Sequence, residues 1–281
     1  MKILPSLAPL FFVASLHAQT ILSTDFSSAT SGTYANGSAI GVGATTSMTA
    51  VNLAANMAVN VVSNSGAQTL QLTDNNSSSG GVGAYKAFQS DGFVASQGSI
   101  AGSVTFTPLS LSSGSRGYFV MMLNSGNGTV SPGSSVTAIQ LYVDNSLKVR
   151  YYNGTSDTNG YVGQPTLSAN TTYRFEYNMN FTNTAAETWG FSLYQVGVET
   201  ALYSVSGLST RANINPNGTA GTDYWTMVLS GGAYNAGASP DPYVQISAVS
   251  LAAVPEPSTP LLLGLGLIGG MLTYRARRKK V

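Results

Sequence analysis

Apolar and polar residues alternate strictly over the segment from Thr172 to Phe181. Its apolar side chains occupy every second position: Tyr173, Phe175, Tyr177, Met179 and Phe181. Successive side chains of an extended chain point to opposite faces, so a period of two places these residues on one side. The segment therefore predicts a half-buried antiparallel β-strand.

A second alternating pattern brackets a turn at Asp144-Asn145. The apolar positions before and after this turn are Ile139, Leu141, Val143, Leu147, Val149 and Tyr151. A short turn between two alternating segments joins adjacent antiparallel strands. Residues 136–152 are therefore predicted to form a hairpin.

Strand-like segments recur throughout residues 19–253, and clusters rich in Gly, Asn and Pro separate them. Such clusters supply the backbone angles that turns require. No sustained helical period appears in this range. Ten or more strands joined by turns predict an all-β fold, a two-sheet antiparallel β-sandwich of jelly-roll type. Residues 19–95 are poorer in aromatics, which leaves two interpretations: a less regular flank, or the opening strands of the sandwich.

Cysteine is absent from the 281 residues, and the one histidine, His17, lies near the N-terminus. The chain after residue 18 therefore excludes Ser-His-Asp and Cys-His catalysis and zinc sites built on His or Cys. Residues 19–254 contain six basic and ten acidic residues, a net charge of −4. Nucleic-acid binding requires clustered basic residues, so no nucleic-acid partner is predicted.

Residues 1–18 have the pattern of a signal peptide. Lys2 provides a positive start, Leu7–Leu16 are mostly apolar, and Ala18 is a small residue before the expected cleavage ahead of Gln19. The alternative is a buried strand or helix end. The pattern predicts export from the cytoplasm.

The C-terminus combines three features in order. Pro255, Glu256 and Pro257 form a short extended motif, because proline fixes φ and disfavours helix in the preceding residue. An apolar segment follows, which predicts a short transmembrane helix over about 260–274. A basic tail ends the chain: Arg275, Arg277, Arg278, Lys279 and Lys280. By the positive-inside rule this tail remains cytoplasmic. The alternative is a core helix with a solvated tail.

This C-terminal segment resembles the PEP-CTERM sorting signal of Gram-negative bacteria that make extracellular polysaccharide. The resemblance covers residues 254–281. Together with the signal-peptide pattern, it predicts three domains: a signal peptide (1–18), an ectodomain (19–253) and a sorting signal (254–281). It implies an exosortase-type processing enzyme as a partner, acting near Pro255, Glu256 and Pro257. It also implies transient anchoring in the inner membrane, followed by delivery to the cell surface or the medium.

The ectodomain resembles the concanavalin A-like, laminin-G-like jelly roll. The segments that carry this resemblance are 138–144, 170–175 and 244–249. That fold class includes glycan binders and glycoside hydrolases. A hydrolase needs two carboxylates about 5–9 Å apart. The closest acidic residues in the sequence, Glu176 and Glu187, are eleven positions apart, so no enzymatic activity and no catalytic residue are predicted. Glu176 is interpreted as a solvent-facing strand residue beside Arg174.

Exposed aromatics beside polar residues would suit sugar binding. Tyr152 and Tyr161 flank a polar loop and are the predicted ligand-binding residues; Tyr142, Tyr151 and Trp189 are further candidates. The alternative places these rings in the core. Loops at Asp74, Asp144 and Asp157 offer oxygen atoms that suit calcium, and each equally suits an ordinary turn. No metal site or cofactor is assigned, and calcium remains an open alternative.

The main hypothesis from the sequence is a non-enzymatic exported surface or matrix protein associated with extracellular polysaccharide. The alternatives are a carbohydrate-binding module with a defined ligand, and a glycoside hydrolase. Exposed Tyr or Trp on a concave sheet face would favour the module, and two carboxylates converging in a groove would favour the hydrolase.

Overall fold

A computed structural model describes residues 19–52, 57–64, 66–74, 82–89, 98–109, 117–125, 137–144, 146–154, 156–157, 164–180, 188–211, 224–233 and 243–255. The predicted signal peptide (1–18), transmembrane helix (about 260–274) and basic tail (275–280) lie outside these ranges. Within them, the structure contains no helix with the length and hydropathy that a membrane crossing requires.

The described residues form seventeen strands in two sheets. The strands of sheet A are β1 (Gln19–Thr24), β2 (Gly32–Tyr34), β5 (Met57–Asn64), β6 (Ala67–Asp74), β8 (Gly98–Pro108), β13 (Tyr173–Asn180), β14 (Thr188–Gln195), β15 (Tyr203–Ser209) and β17 (Val244–Pro255). The strands of sheet B are β3 (Ala39–Ile40), β4 (Met48–Asn52), β7 (Val82–Gln89), β9 (Gly117–Ser125), β10 (Thr137–Val143), β11 (Val149–Asn153), β12 (Ser156–Asp157) and β16 (Tyr224–Ala233).

Sheet A has the order β15-β14-β13-β8-β17-β6-β5-β2, with β1 also paired to β17, and sheet B has the order β12-β11-β10-β9-β16-β7-β4-β3. Every pairing of these strands is antiparallel. Late strands insert between early ones, since β17 lies between β8 and β6, and β16 lies between β9 and β7. The predicted two-sheet antiparallel jelly roll is confirmed, and the described part of residues 19–95 supplies its opening strands, β1 to β7, rather than an irregular flank.

Strand β13 confirms the alternation on which the fold was predicted. Tyr173, Phe175, Tyr177 and Met179 are buried, while Asn178 and Asn180 are exposed on the other face. Phe181 lies outside the described residues. The ring of Phe175 stacks on Phe106 of β8 with centroids 4.8 Å apart. Burial of one such side chain stabilises the fold by about 1.5–3 kcal/mol.

The predicted hairpin is also confirmed, as β10 and β11 pair in register with Tyr142 opposite Arg150. Asp144 organises the turn because its Oδ1 accepts the backbone N–H of Ser146 at 2.8 Å and of Lys148 at 3.0 Å. Leu147 has a φ of +59°, the left-handed geometry that such a tight reversal requires. The turn keeps the two strands aligned, so that Arg150 and Tyr152 share a face with Tyr142.

A glycine in β8 makes room for a buried tyrosine. Gly102 pairs with Tyr177 of β13, and a Cβ atom at Gly102 would lie 2.4 Å from the Tyr177 hydroxyl oxygen. No real side chain tolerates that distance. Burial raises the pKa of Tyr177 well above its ordinary value, since an ionised phenolate would lose its hydration.

The first and last strands of the sandwich pair with each other. Gln19 lies opposite Ala253 in the β1–β17 register. β17 is an interior strand, since it also pairs with β8 along its length and with β6 near its start. Residues 19 and 255 therefore lie at the same end of sheet A.

Candidate functional site

The outer face of sheet B carries a group of aromatic and polar side chains at the β10–β11 hairpin. We call this group the tyrosine–arginine cluster; its members are Gln140, Tyr142, Arg150, Tyr152 and Arg211. The alternation of the strands brings them together, because Ile139, Leu141, Val143, Val149 and Tyr151 point into the core. Residues at the intervening positions of β10 and β11 therefore share the opposite face.

Each tyrosine of the cluster is covered by a guanidinium group. The Arg150 Cζ atom lies 5.2 Å from the ring centroid of Tyr142, and the Arg211 Cζ atom lies 4.1 Å from that of Tyr152. The two tyrosine rings are 6.4 Å apart. Guanidinium groups stack on aromatic faces through cation–π attraction and keep their N–H donors directed around the edge of the plane.

Arg211 enters the cluster from a distant part of the chain. It follows β15 of sheet A, and its backbone N–H donates to the carbonyl of Ala138 in β10 at 2.9 Å. Its Nη1 donates to Oε1 of Gln140, a buried side chain. The loop that leaves sheet A is thereby fastened to sheet B, and Arg211 is held over Tyr152.

The two arginines differ in charge compensation. Arg150 lies 3.9 Å from Oδ2 of Asp144, and the two side chains are 16% and 17% exposed, respectively. Backbone pairing places Asp157 opposite Tyr152. Among the described residues, no carboxylate forms an ion pair with Arg211. Arg211 is therefore the side of the cluster with unbalanced positive charge.

The outer face of sheet A carries a different arrangement, which we call the serine row. Five side chains lie side by side across neighbouring strands: Ser250, Ser103, Glu176, Ser192 and Ser204. They line a shallow groove of about 920 Å³.

The polar groups of the serine row bond to one another. The Oγ atoms of Ser103 and Ser250 are 2.8 Å apart, as are those of Ser192 and Ser204. Glu176 is 44% exposed and forms an ion pair with Arg174, whose Nε lies 2.8 Å from Glu176 Oε1. Glu176 is thus the solvent-facing strand residue beside Arg174 that the sequence predicts. Arg174 also lies 5.1 Å from the ring of Tyr194, so sheet A has its own stacked tyrosine and arginine.

The predicted sugar-binding residues divide among three locations. Tyr152 belongs to the tyrosine–arginine cluster together with Tyr142. Tyr161 lies outside the described residues. Tyr151 and Trp189 are core residues, 4% and 2% exposed, and their rings meet edge-on at 6.3 Å. For these two the core interpretation is confirmed.

Sequence reasoning missed three members of the cluster, Gln140, Arg150 and Arg211. Gln140 and Arg150 carried a weak signal, since they occupy outward positions of the alternating β10 and β11. Arg211 carried none, because its position depends on how the loop after β15 crosses between the sheets. A tyrosine pattern alone therefore identified only part of the site.

Of the three candidate calcium loops, the structure describes mainly the one at Asp144. That carboxylate accepts two backbone N–H groups of its own turn and faces Arg150, which is the arrangement of an ordinary turn. In the described ranges no three His, Cys, Asp or Glu side chains converge. Residues 75–76 and 158–159 of the other two loops lie outside those ranges.

The sorting motif begins where the sandwich ends. Pro255 is the last residue of β17 and lies opposite Gly98 of β8, and Glu256 and Pro257 lie beyond the described residues. The fold and this terminus define a β-sandwich with a C-terminal tail attached directly to an interior strand. Residues 253–279 match the family model described as the PEP-CTERM protein-sorting motif. This motif implies an exported protein that is anchored at its C-terminus before processing.

Solved structures with similar folds include enzymes and lectins. An alginate lyase from Aplysia kurodai is 13% identical with a TM-score of 0.47, and the match covers 69% of this chain and 86% of the lyase. An endo-β-1,4-glucuronan lyase from Trichoderma reesei is 11% identical with a TM-score of 0.45, and the match covers 72% and 89% of the two chains.

Lectin II from Ulex europaeus is 10% identical with a TM-score of 0.45, and the match covers 72% of this chain and 94% of the lectin. At these identities and TM-scores, no residue role is carried over from the lyases or the lectin. No curated protein matches the sequence.

Proposed function

We propose that this protein is a non-enzymatic surface or matrix protein that binds extracellular polysaccharide through the tyrosine–arginine cluster. Its C-terminal segment holds it transiently in the inner membrane until an exosortase-type enzyme processes it near Pro255, Glu256 and Pro257. The β-sandwich then reaches the cell surface or the medium. The alternative function of a defined glycan-binding module differs from this one only in the selectivity of the same face.

The binding proposal rests on which side chains form the tyrosine–arginine cluster and on the contacts that hold them in place. Tyr142 and Tyr152 are half-buried rings on an outward sheet face, and Gln140 and two arginines surround them. Ligand sites combine apolar ring surface with a few fixed polar groups that set orientation. Because hydrogen bonds and stacking already hold Arg211 in place, little side-chain entropy is lost when a ligand binds.

The positions of two described carboxylates, Glu176 and Asp144, support a non-enzymatic role. Glu176 lies on the outer face of sheet A and pairs with Arg174, while Asp144 lies at the end of β10 in sheet B and organises its turn. A glycoside hydrolase requires two carboxylates on opposite sides of one bond of its substrate. Glu176 and Asp144 belong to different sheets and do not form such a pair.

The binding proposal is tested with the full chain in a mild neutral detergent and a panel of immobilised acidic and neutral polysaccharides. We expect retention on members of the panel, and we expect Tyr152→Ala to weaken it about tenfold, a typical loss for truncating a buried anchor residue. Tyr194→Ala is the matched control, since Tyr194 also stacks with an arginine but lies on sheet A. Absence of retention on every polymer, or equal losses in the two variants, would refute the proposal.

The sorting proposal has its own test. Deletion of residues 256–281 should release the β-sandwich from the membrane fraction, because it removes the predicted helix and the basic tail but leaves β17 intact. Membrane retention of the deleted form equal to that of the full chain would show that another segment anchors the protein. Circular dichroism of the released product checks that it remains folded.

A further inference from the structure

The positive charge left uncompensated in the tyrosine–arginine cluster bears on whether an acidic or a neutral polysaccharide binds there. We infer that its ligand is an acidic polysaccharide and that Arg211 is the residue that binds the carboxylate groups of its sugar units. This inference rests on the proposed function, because it names the class of ligand for the same face.

Among the arginines that the structure describes, Arg211 is the one whose charge is least compensated. Arg150 faces Asp144, and Arg174 on the other sheet pairs with Glu176. Arg211 has an amide, Gln140, and an aromatic ring, Tyr152, as its partners among the described residues, and neither carries a formal charge. Gln140 accepts from a single nitrogen of the guanidinium, which has five N–H donors in total. The remaining donors suit an oxygen ligand that carries negative charge.

The surroundings of Arg211 favour an anion bound at a fixed position over diffuse attraction. Its guanidinium lies over Tyr152, and its backbone is tied to Ala138 of β10. A guanidinium held flat in this way presents its donors in one plane, the geometry that matches the two oxygens of a carboxylate. A flexible surface lysine would attract anions without selecting this shape.

The aromatic part of the cluster favours a sugar polymer as the carrier of the carboxylate. The ring centroids of Tyr142 and Tyr152 are 6.4 Å apart, which is the scale of one sugar unit, and each ring carries a phenol hydroxyl. A nucleic acid carries a charge on every phosphate and is bound by clustered basic residues, whereas this site offers one arginine without a carboxylate partner among the described residues. A uronate-containing chain has sufficient charge for Arg211 and sufficient apolar ring surface for the tyrosines.

The test compares two resins that differ in charge alone. Polygalacturonate is coupled to beads, and on half of the beads the carboxyl groups are reduced to primary alcohols. We expect the full chain in neutral detergent to bind the acidic resin about tenfold more tightly than the reduced resin, as one charge-assisted contact would provide. This preference should decline when salt is raised to about 0.5 M, because screening shortens the range of the attraction.

Variants assign the preference to a residue. Arg211→Gln should abolish the difference between the resins while retaining binding to both, and Arg211→Lys should restore only part of it because a lysine lacks the planar fork. Arg174→Gln is the matched control and should bind as the unaltered chain does. Thermal unfolding of each variant checks that the fold is retained.

Each result separates the inference from the proposed function. Equal binding to both resins by the unaltered chain, or an unchanged preference in Arg211→Gln, would overturn the inference and leave polysaccharide binding in place. Absence of binding to both resins and to the wider panel would refute the proposed function as well. Tighter binding to a DNA oligonucleotide than to polygalacturonate would also overturn the inference, since it would identify a different class of polymer.

Discussion

The outer faces of the two sheets carry similar side chains, but they differ in whether the charged side chains have partners of opposite charge. Sheet A has Arg174 beside Tyr194 and sheet B has Arg211 beside Tyr152, so each has a stacked arginine and tyrosine. On sheet A the arginine pairs with Glu176, and the neighbouring serines pair with one another. On sheet B, Arg211 has no such carboxylate among the described residues. Residue types therefore do not distinguish a solvated face from a binding face; the difference lies in which charges already have partners.

Trp189→Ala should weaken the core packing beneath both faces and cause the largest loss in the free energy of unfolding. The Trp189 ring contacts Tyr151 beneath the tyrosine–arginine cluster and Phe191 beneath the serine row, and its Nε1–H donates to the Ser209 carbonyl at 3.1 Å. We expect a loss of about 3–5 kcal/mol in the free energy of unfolding, measured by urea denaturation. Thr188→Ala, at the adjacent outward position, should change it by under about 0.5 kcal/mol. Similar values for the two variants would contradict this account of the core.

Gly102→Ala should disturb sheet A selectively. The added Cβ would lie 2.4 Å from the Tyr177 hydroxyl oxygen and 2.6 Å from the Ser250 carbonyl oxygen, and the latter cannot move without shifting β17. We expect a loss of about 1–3 kcal/mol in the free energy of unfolding, with polysaccharide binding by the folded protein unchanged. Ala101→Ser, at the next position and on the outer face, is the control. A stability equal to that of the unaltered chain would mean that β8 and β17 separate more readily than their geometry indicates.

Asp144→Asn should sharpen the contrast between the faces by removing a negative charge from sheet B. An asparagine oxygen can still accept the backbone N–H groups of Ser146 and Lys148, so the turn is retained. Loss of the charge facing Arg150 should strengthen binding to polygalacturonate about threefold at low salt, in line with the modest energy of a single ion pair at 3.9 Å. Glu176→Gln makes the same change on sheet A and should leave the affinity unaltered. A stronger effect of the Glu176 variant would reverse the assignment of the faces.

Ser192→Ala should have the smallest effect. The substitution removes a hydroxyl that bonds to Ser204 at 2.8 Å on an exposed surface. Water can replace that partner, so the free energy of unfolding should change by no more than about 0.5 kcal/mol and polysaccharide binding should stay constant. A marked loss of polysaccharide binding would identify the serine row as the ligand-binding face and contradict the comparison.

Alternation along single strands predicted the fold because it reports burial directly. Tyr173, Phe175, Tyr177 and Met179 are inward as their pattern indicates, and the hairpin turns at Asp144. The same alternation placed Tyr151 with Val149 on the apolar side of the hairpin, which is correct, although Tyr151 was also kept as a sugar-binding candidate. Alternation could not predict the role of Arg211, since that role arises from a crossing between the sheets and not from its sequence neighbours.

The arrangement of the last strand has a consequence for biogenesis. β17 fills an interior position of sheet A, with β8 on one side and β6 and β1 on the other, yet its residues are the last of the sandwich to be synthesised and to pass through the translocation channel. Until Pro255 emerges, sheet A remains divided into two halves with unpaired edges. In the proposed sorting route, closure of the sandwich is linked to arrival of the tail at the membrane. An intermediate stalled earlier would expose two unpaired strand edges to other chains and to proteases.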